Sequence, residues 1–159
     1  MDLLDRLLEH DRWATGQLLE ASRGLDEARL DREFDVGHRT LRETFSHMIV
    51  NVEFWTGLMT GTPAATWTGG SSVSALSDWH ERAYVAFADF ARRARDEGRL
   101  EETYIDHYDA RKSIAGTVLM VVLHNEEHRT EVRHMLARLG VADVPEVDHG
   151  LWDYELLNG

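Results

Sequence analysis

Three histidines form the pattern with the clearest chemical potential in this sequence. His124 and His128 are four residues apart in the run His-Asn-Glu-Glu-His, and His47 lies in a separate apolar segment. On an α-helix, a spacing of four places two side chains on one face, one turn apart. Two such helices packed side by side bring three imidazoles together, and three neutral imidazoles hold a divalent metal while leaving positions open for water or substrate. The pattern therefore predicts a metal site at His47, His124 and His128.

The available ligand types limit which metal ions the site can bind. The sequence has no cysteine, which excludes disulfides and thiolate ligands. Imidazole ligands favour zinc or nickel, with iron or manganese as alternatives. A metal-free polar network is the other interpretation of the pair, because buried imidazoles need partners for their ring nitrogens. The predicted face of the pair is inward, since it also carries Val121, Val132 and Met135.

Two other metalloprotein motifs match the same region in part. The run from His124 to His128 has the letters of the inverted zincin pattern H-x-x-E-H, but the chain that follows is too short to deliver that family's distal ligand. Glu131 and His134 form one Glu-x-x-His of the di-iron bundles, and the second one is missing. The three-histidine interpretation is therefore preferred.

Composition limits both the architecture and the partners. A length of 159 residues suits a single domain, 1–159. A net charge of −12 argues against binding to nucleic acid or to an anionic membrane surface. The N-terminus lacks the basic and apolar regions of a signal peptide, and no run approaches the ~20 apolar residues of a membrane span. We therefore expect a cytoplasmic protein that binds neither nucleic acid nor a membrane.

Periodic apolar residues predict the elements that position the histidines. Four segments have a period near 3.6 and predict long helices: 2–23, 40–61, from Ser74 or Ser77 to Gly98, and 113–139. Thr40 and Glu43 fit a capping box at the start of the second helix. The stretch 60–74 is long for a loop and suits a crossover between helices 2 and 3, which could also overhang a pocket. Residues 100–111 are ambiguous, and 148–157 predict a short final helix. The predicted fold is all-α, a four-helix bundle with a long crossover between helices 2 and 3.

Taken together, these motifs resemble those of the DinB/YfiT-like metalloenzyme family (the DinB superfamily) over nearly the whole chain. The resemblance rests on short runs in three helices and near the C-terminus: Leu7-Leu8-Glu9-His10-Asp11-Arg12-Trp13-Ala14, Thr40 to Met48 with Glu53-Phe54-Trp55, His124-Asn125-Glu126-Glu127-His128-Arg129, Leu136 to Gly140, and Asp153-Tyr154. The chain departs from the family pattern in having Glu127 before the last histidine and Thr130-Glu131 after the arginine. These departures leave the three histidines intact.

The resemblance implies a function as well as a fold. It implies a metal held by His47, His124 and His128 in a protein that is often a homodimer. Relatives include transferases and isomerases that use a low-molecular-weight thiol, so the resemblance implies a thiol-dependent reaction on a small electrophile. A metal-dependent hydrolase and a non-catalytic metal-binding bundle remain alternatives. Glu127 is a candidate base or acceptor for an imidazole, and Arg129 is a candidate partner for a substrate carboxylate or, alternatively, for an internal carboxylate.

Overall fold

A computed structural model describes residues 1–63 and 66–159 and is mostly helical. This agrees with the predicted all-α class. Within the described residues there are six helices and one small sheet: α1 (Leu3–Ala21), α2 (Glu27–Leu30), α3 (Leu41–Thr60), α4 (Val73–Asp96), β1 (Thr103–Ile105), β2 (Arg111–Ser113), α5 (Ile114–Arg138) and α6 (His149–Asn158). Residues 64 and 65 of the predicted crossover lie outside the described residues.

Side-chain caps set the starts of the four long helices. Asp2 forms a reciprocal capping box with Asp5 before α1. Thr40, Ser72 and Ser113 each accept a hydrogen bond from the backbone amide three residues later, before α3, α4 and α5. Such caps satisfy amides that have no partner inside the helix. The hydroxyl half of the predicted Thr40 box is thus present, and each helix begins within a few residues of its predicted start.

One apolar core holds the long helices together. Helices α1 and α3 each pack against both α4 and α5. An apolar stripe on α4 is buried throughout: Leu76, Trp79, Tyr84, Phe87 and Phe90. Full burial of a large apolar side chain contributes roughly 1.5–3 kcal/mol. This packing fixes α3 against α5, the two helices that carry the predicted metal ligands.

The ambiguous segment after α4 forms a β-hairpin. Strands β1 and β2 are antiparallel, with Thr103 opposite Ser113. In the turn, the Asp106 carboxylate accepts hydrogen bonds from the backbone amides of Tyr108 at 2.8 Å and Ala110 at 3.0 Å. The hairpin leads directly into α5, and in the described part of the chain no helix has both the length and the apolar character needed to cross a membrane.

Candidate metal centre

The structure brings the three predicted histidines together between α3 and α5. His47 lies on α3, and His124 and His128 lie one turn apart on α5. The Nε2 atom of His124 is 2.9 Å from Nε2 of His47 and 3.1 Å from Nε2 of His128. One ring nitrogen of His124 therefore lies within about 3 Å of a ring nitrogen of each of the other two histidines.

The histidines lie at the edge of the core. His128 is buried, whereas His47 and His124 are half-buried. The inward face predicted for α5 is present, because Val121, Val132 and Met135 are fully buried. The rings are therefore held by packing on one side and reachable from solvent on the other.

The spacing of the ring nitrogens fits a transition-metal ion. Two nitrogens bound to one zinc at about 2.0–2.1 Å are about 2.9 Å apart at a right angle and about 3.4 Å apart at the tetrahedral angle. The separations of 2.9 and 3.1 Å fall inside that range. Imidazole donors without thiolates suit zinc, nickel or iron. The residues present thus match the donor type and the spacing that such an ion requires.

Electrostatics keep at least two of these rings in the form that binds metal. Burial, assisted by the nearby imidazoles of His38, His128 and His124, lowers the pKa of His47 from 6.5 to about 4. Burial also lowers the pKa of His124, and the charge of His128 adds to the effect. A metal ligand must be unprotonated. At neutral pH, His47 and His124 therefore present free lone pairs.

A fourth histidine joins the cluster from a loop that the sequence interpretation did not include. The His38 ring stacks on the His47 ring, with centroids 3.7 Å apart and an angle of 25° between the planes. Donor atoms of His38, His47 and His128 lie within 4.8 Å of one another. His38 itself is exposed. Only its position immediately after Gly37 marks it in the sequence as part of a tight turn.

The carboxylate that orients an imidazole is Glu131. Its Oε2 atom is 2.6 Å from Nδ1 of His128. A hydrogen bond donated by Nδ1 fixes the tautomer and leaves Nε2 free for an ion. The predicted acceptor was Glu127, which is an exposed residue near His124, and the neighbouring Glu126 binds Arg129. The three-residue spacing from His128 to Glu131 is a signal that could have identified this pair.

Arg129 faces away from the histidines, towards α1. Its guanidinium is 1% exposed and forms an ion pair with Asp11, which is fully buried, and a second pair with Glu126 at 2.6 Å. Asn125 donates a hydrogen bond to the same Asp11 carboxylate at 3.1 Å. The structure thus shows Arg129 in contact with internal carboxylates, one of the two kinds of partner considered for it.

A separate cavity lies between α3 and α4. It has a volume of about 1200 Å³, and its lining includes Glu53, Trp67, Arg82 and Phe90 but none of the four histidines. Trp67, in the connection between the two helices, stacks on Trp79 with ring centroids 5.1 Å apart. The connection thus overhangs a pocket, as the sequence suggested, but this pocket is distinct from the histidine cluster.

A sequence model of the DinB family matches residues 1–154, which is nearly the whole chain. No curated protein matches the chain.

Proposed function

The chain belongs to the DinB family, and from that premise we propose that it is a metal-dependent enzyme acting on a small electrophile. His47, His124 and His128 hold a divalent transition metal, with zinc or nickel preferred. The substrate reacts with a low-molecular-weight thiol in a transfer or isomerisation. The observation that carries the proposal is the approach of three Nε2 atoms to 2.9 and 3.1 Å.

The side chains at this site have different roles. When bound, the metal lowers the pKa of a coordinated thiol or water and so supplies a nucleophile at neutral pH. His47 and His124 offer neutral nitrogens, and Glu131 holds the His128 ring in one orientation. Glu127, an exposed carboxylate near His124, is our candidate proton acceptor at the exposed side. The nucleophilic sulfur must come from a cosubstrate because the chain has no cysteine.

We also propose the finer architecture implied by the family. The four long helices form a four-helix bundle of one domain, with a crossover between α3 and α4. Arg42, at the start of α3, donates hydrogen bonds to the carbonyl and the hydroxyl of Ser71, two residues before α4 begins. This contact supports a parallel arrangement of the two helices, which requires the connection to run back along their length.

Elemental analysis tests whether a metal is present. The purified chain is loaded with zinc or nickel, passed through a desalting column and analysed beside His47→Ala and His149→Ala. His149 is an exposed histidine on α6 that packs near His10, outside the cluster. We expect about one metal ion per chain in the wild type and in His149→Ala, and a loss in His47→Ala. Equal metal content in all three proteins, or none in the wild type, would refute the site.

Turnover assays separate the catalytic alternatives. A metal-dependent hydrolase needs only water as nucleophile, so the loaded protein should then cleave a chromogenic ester without any thiol. A thiol-dependent enzyme should instead consume an electrophilic acceptor only when a small thiol is added. A non-catalytic metal-binding protein would show metal in the elemental analysis and neither activity above the His47→Ala control.

A further inference from the structure

His38 differs from the other three histidines in how the chain presents it. His47, His124 and His128 project from helices, whereas His38 lies in the loop between α2 and α3 and is exposed. Its donor atom is nevertheless within 4.8 Å of those of His47 and His128. Two nitrogens bound to one ion at about 2.0–2.1 Å are separated by at most about 4.2 Å. A small movement of the His38 ring therefore brings it to bonding distance of a shared ion.

The backbone around His38 is held firmly in place. Phe34 donates its amide hydrogen bond to the carbonyl of Arg39 at 2.7 Å, and Thr40 donates to the carbonyl of His38 at 2.9 Å. The residues on either side of His38 have positive φ angles, +58° at Gly37 and +71° at Arg39. Such angles are rare outside glycine, so this turn is determined by its surroundings rather than by local preference.

The same turn is packed directly on the carboxylate that orients His128. A Cβ atom added at Gly37 would lie 2.7 Å from Oε2 of Glu131 and 3.2 Å from the Met135 methyl group. Phe34 fixes the start of this loop. Its ring is buried, and the ring centroid lies 5.0 Å from the guanidinium carbon of Arg138 at the end of α5. The loop thus fixes the backbone of His38 next to the site, while its exposed side chain is held only by stacking on the His47 ring.

We propose that His38 is a fourth metal ligand that an incoming ligand displaces. The inference rests on the proposed function, because it needs a metal at His47, His124 and His128. In the resting protein, the imidazole of His38 occupies one coordination position. A small anionic ligand or thiolate takes that position, and the His38 ring returns to its stacked place on His47 or to solvent. The residue therefore governs how strongly the site binds exogenous ligands.

Cobalt(II) as a spectroscopic substitute and azide as the ligand probe test this exchange. The wild type, His38→Ala and His149→Ala are loaded with Co²⁺, and the visible spectrum of each is recorded during an azide titration. Zinc affinity is measured in parallel by competition with a chromophoric chelator. Circular dichroism of each apo protein verifies the fold, which an exposed residue such as His38 should not disturb.

Removal of His38 should lower the affinity for zinc and raise the affinity for azide. Zinc affinity should fall by about tenfold, at the lower end of the effect of losing a supporting group at a metal site. Azide should bind Co²⁺-loaded His38→Ala about tenfold more tightly, because no imidazole has to leave. The resting Co²⁺ spectrum should also change, whereas His149→Ala should match the wild type in all three measurements.

Two results would overturn the proposal. An unchanged Co²⁺ spectrum with unchanged azide affinity would place His38 outside the coordination sphere. A fall in zinc affinity without tighter azide binding would mean that the stacked ring only steadies His47. Either result leaves the three-histidine site standing, whereas failure of the wild type to bind zinc or cobalt would refute the proposed function itself.

Discussion

Nδ1 of His128 lies 2.6 Å from Oε2 of Glu131, one turn further along α5. This contact gives the cluster an outer carboxylate that fixes one ring. We expect Glu131→Ala to weaken zinc binding by about 10- to 100-fold, the usual effect of losing an outer-shell partner. Chelator competition measures the change. Glu155→Ala is the matched control, because that carboxylate is exposed on α6; equal losses in both variants would contradict the role assigned to Glu131.

Acidification should destabilise the apo protein. The pKa of His47 is lowered from 6.5 to about 4 by burial and neighbouring imidazoles, and burial also lowers the pKa values of His10 and His80. The unfolded chain therefore binds more protons than the folded chain between pH 6.5 and about 4, and the free energy of unfolding falls as the pH falls through that window.

The His47 contribution can be isolated by substitution. Urea denaturation of the apo protein at pH 7, 6, 5 and 4 measures how far the free energy of unfolding falls. In His47→Gln this decrease should be smaller by about 1–2 kcal/mol, after allowance for solvent screening of a half-buried ring. An identical pH dependence in His47→Gln and the wild type would show that the ring is not held neutral by the fold.

The buried ion pair between Asp11 and Arg129 should be essential for stability. Arg129→Met leaves the Asp11 carboxylate buried without its cation, which should cost about 3–5 kcal/mol of unfolding free energy. The exposed pair between Arg12 and Glu81 is the control, and Arg12→Met should cost less than about 1 kcal/mol. Urea denaturation at pH 7 gives both values. Wild-type stability of Arg129→Met combined with loss of metal-dependent turnover would instead support the catalytic role first considered for this residue.

Substitution of Gly37 should affect stability and the metal site together. Gly37→Ala places a methyl group 2.7 Å from the Glu131 carboxylate at a backbone φ of +58°. Gly98 has a similar φ of +71° with nothing within 4 Å of the added Cβ, so Gly98→Ala has only the conformational cost, about 1–2 kcal/mol. Thermal unfolding and zinc competition on both variants should show reduced zinc affinity in Gly37→Ala alone. Equal zinc affinity in the two variants would show that the loop does not act on Glu131.

Helical periodicity explains why the helices and two of the clustered histidines were predictable. His124 and His128 share a face because their spacing matches a helical turn, and Val121 and Val132 mark that face as inward. The start of α3 followed from its capping residue Thr40. These features are local, so the sequence alone contains them.

The features that the sequence did not reveal depend on the path of loops. His38 approaches His47 through a turn with two positive φ angles, and no periodic pattern specifies that turn. Helix α2 is four residues long, too short for periodicity to detect. The role of Arg129 depended on whether Asp11 of α1 would face it, which is a question of tertiary packing. Glu131 lies three residues after His128, a spacing that indicates contact on a helix. The sequence prediction used Glu131 only in a Glu-x-x-His pair with His134.

Neighbouring positions on α5 serve separate purposes. His124 and His128 turn towards α3, whereas Asn125 and Arg129 turn towards α1 and its buried carboxylate. A protein engineer could therefore change the histidine side of this helix, by exchanging the histidines or the groups around them, while the opposite side continues to hold the scaffold together. Because the two sides are separate, substitutions can introduce new reactivity without also unfolding the protein.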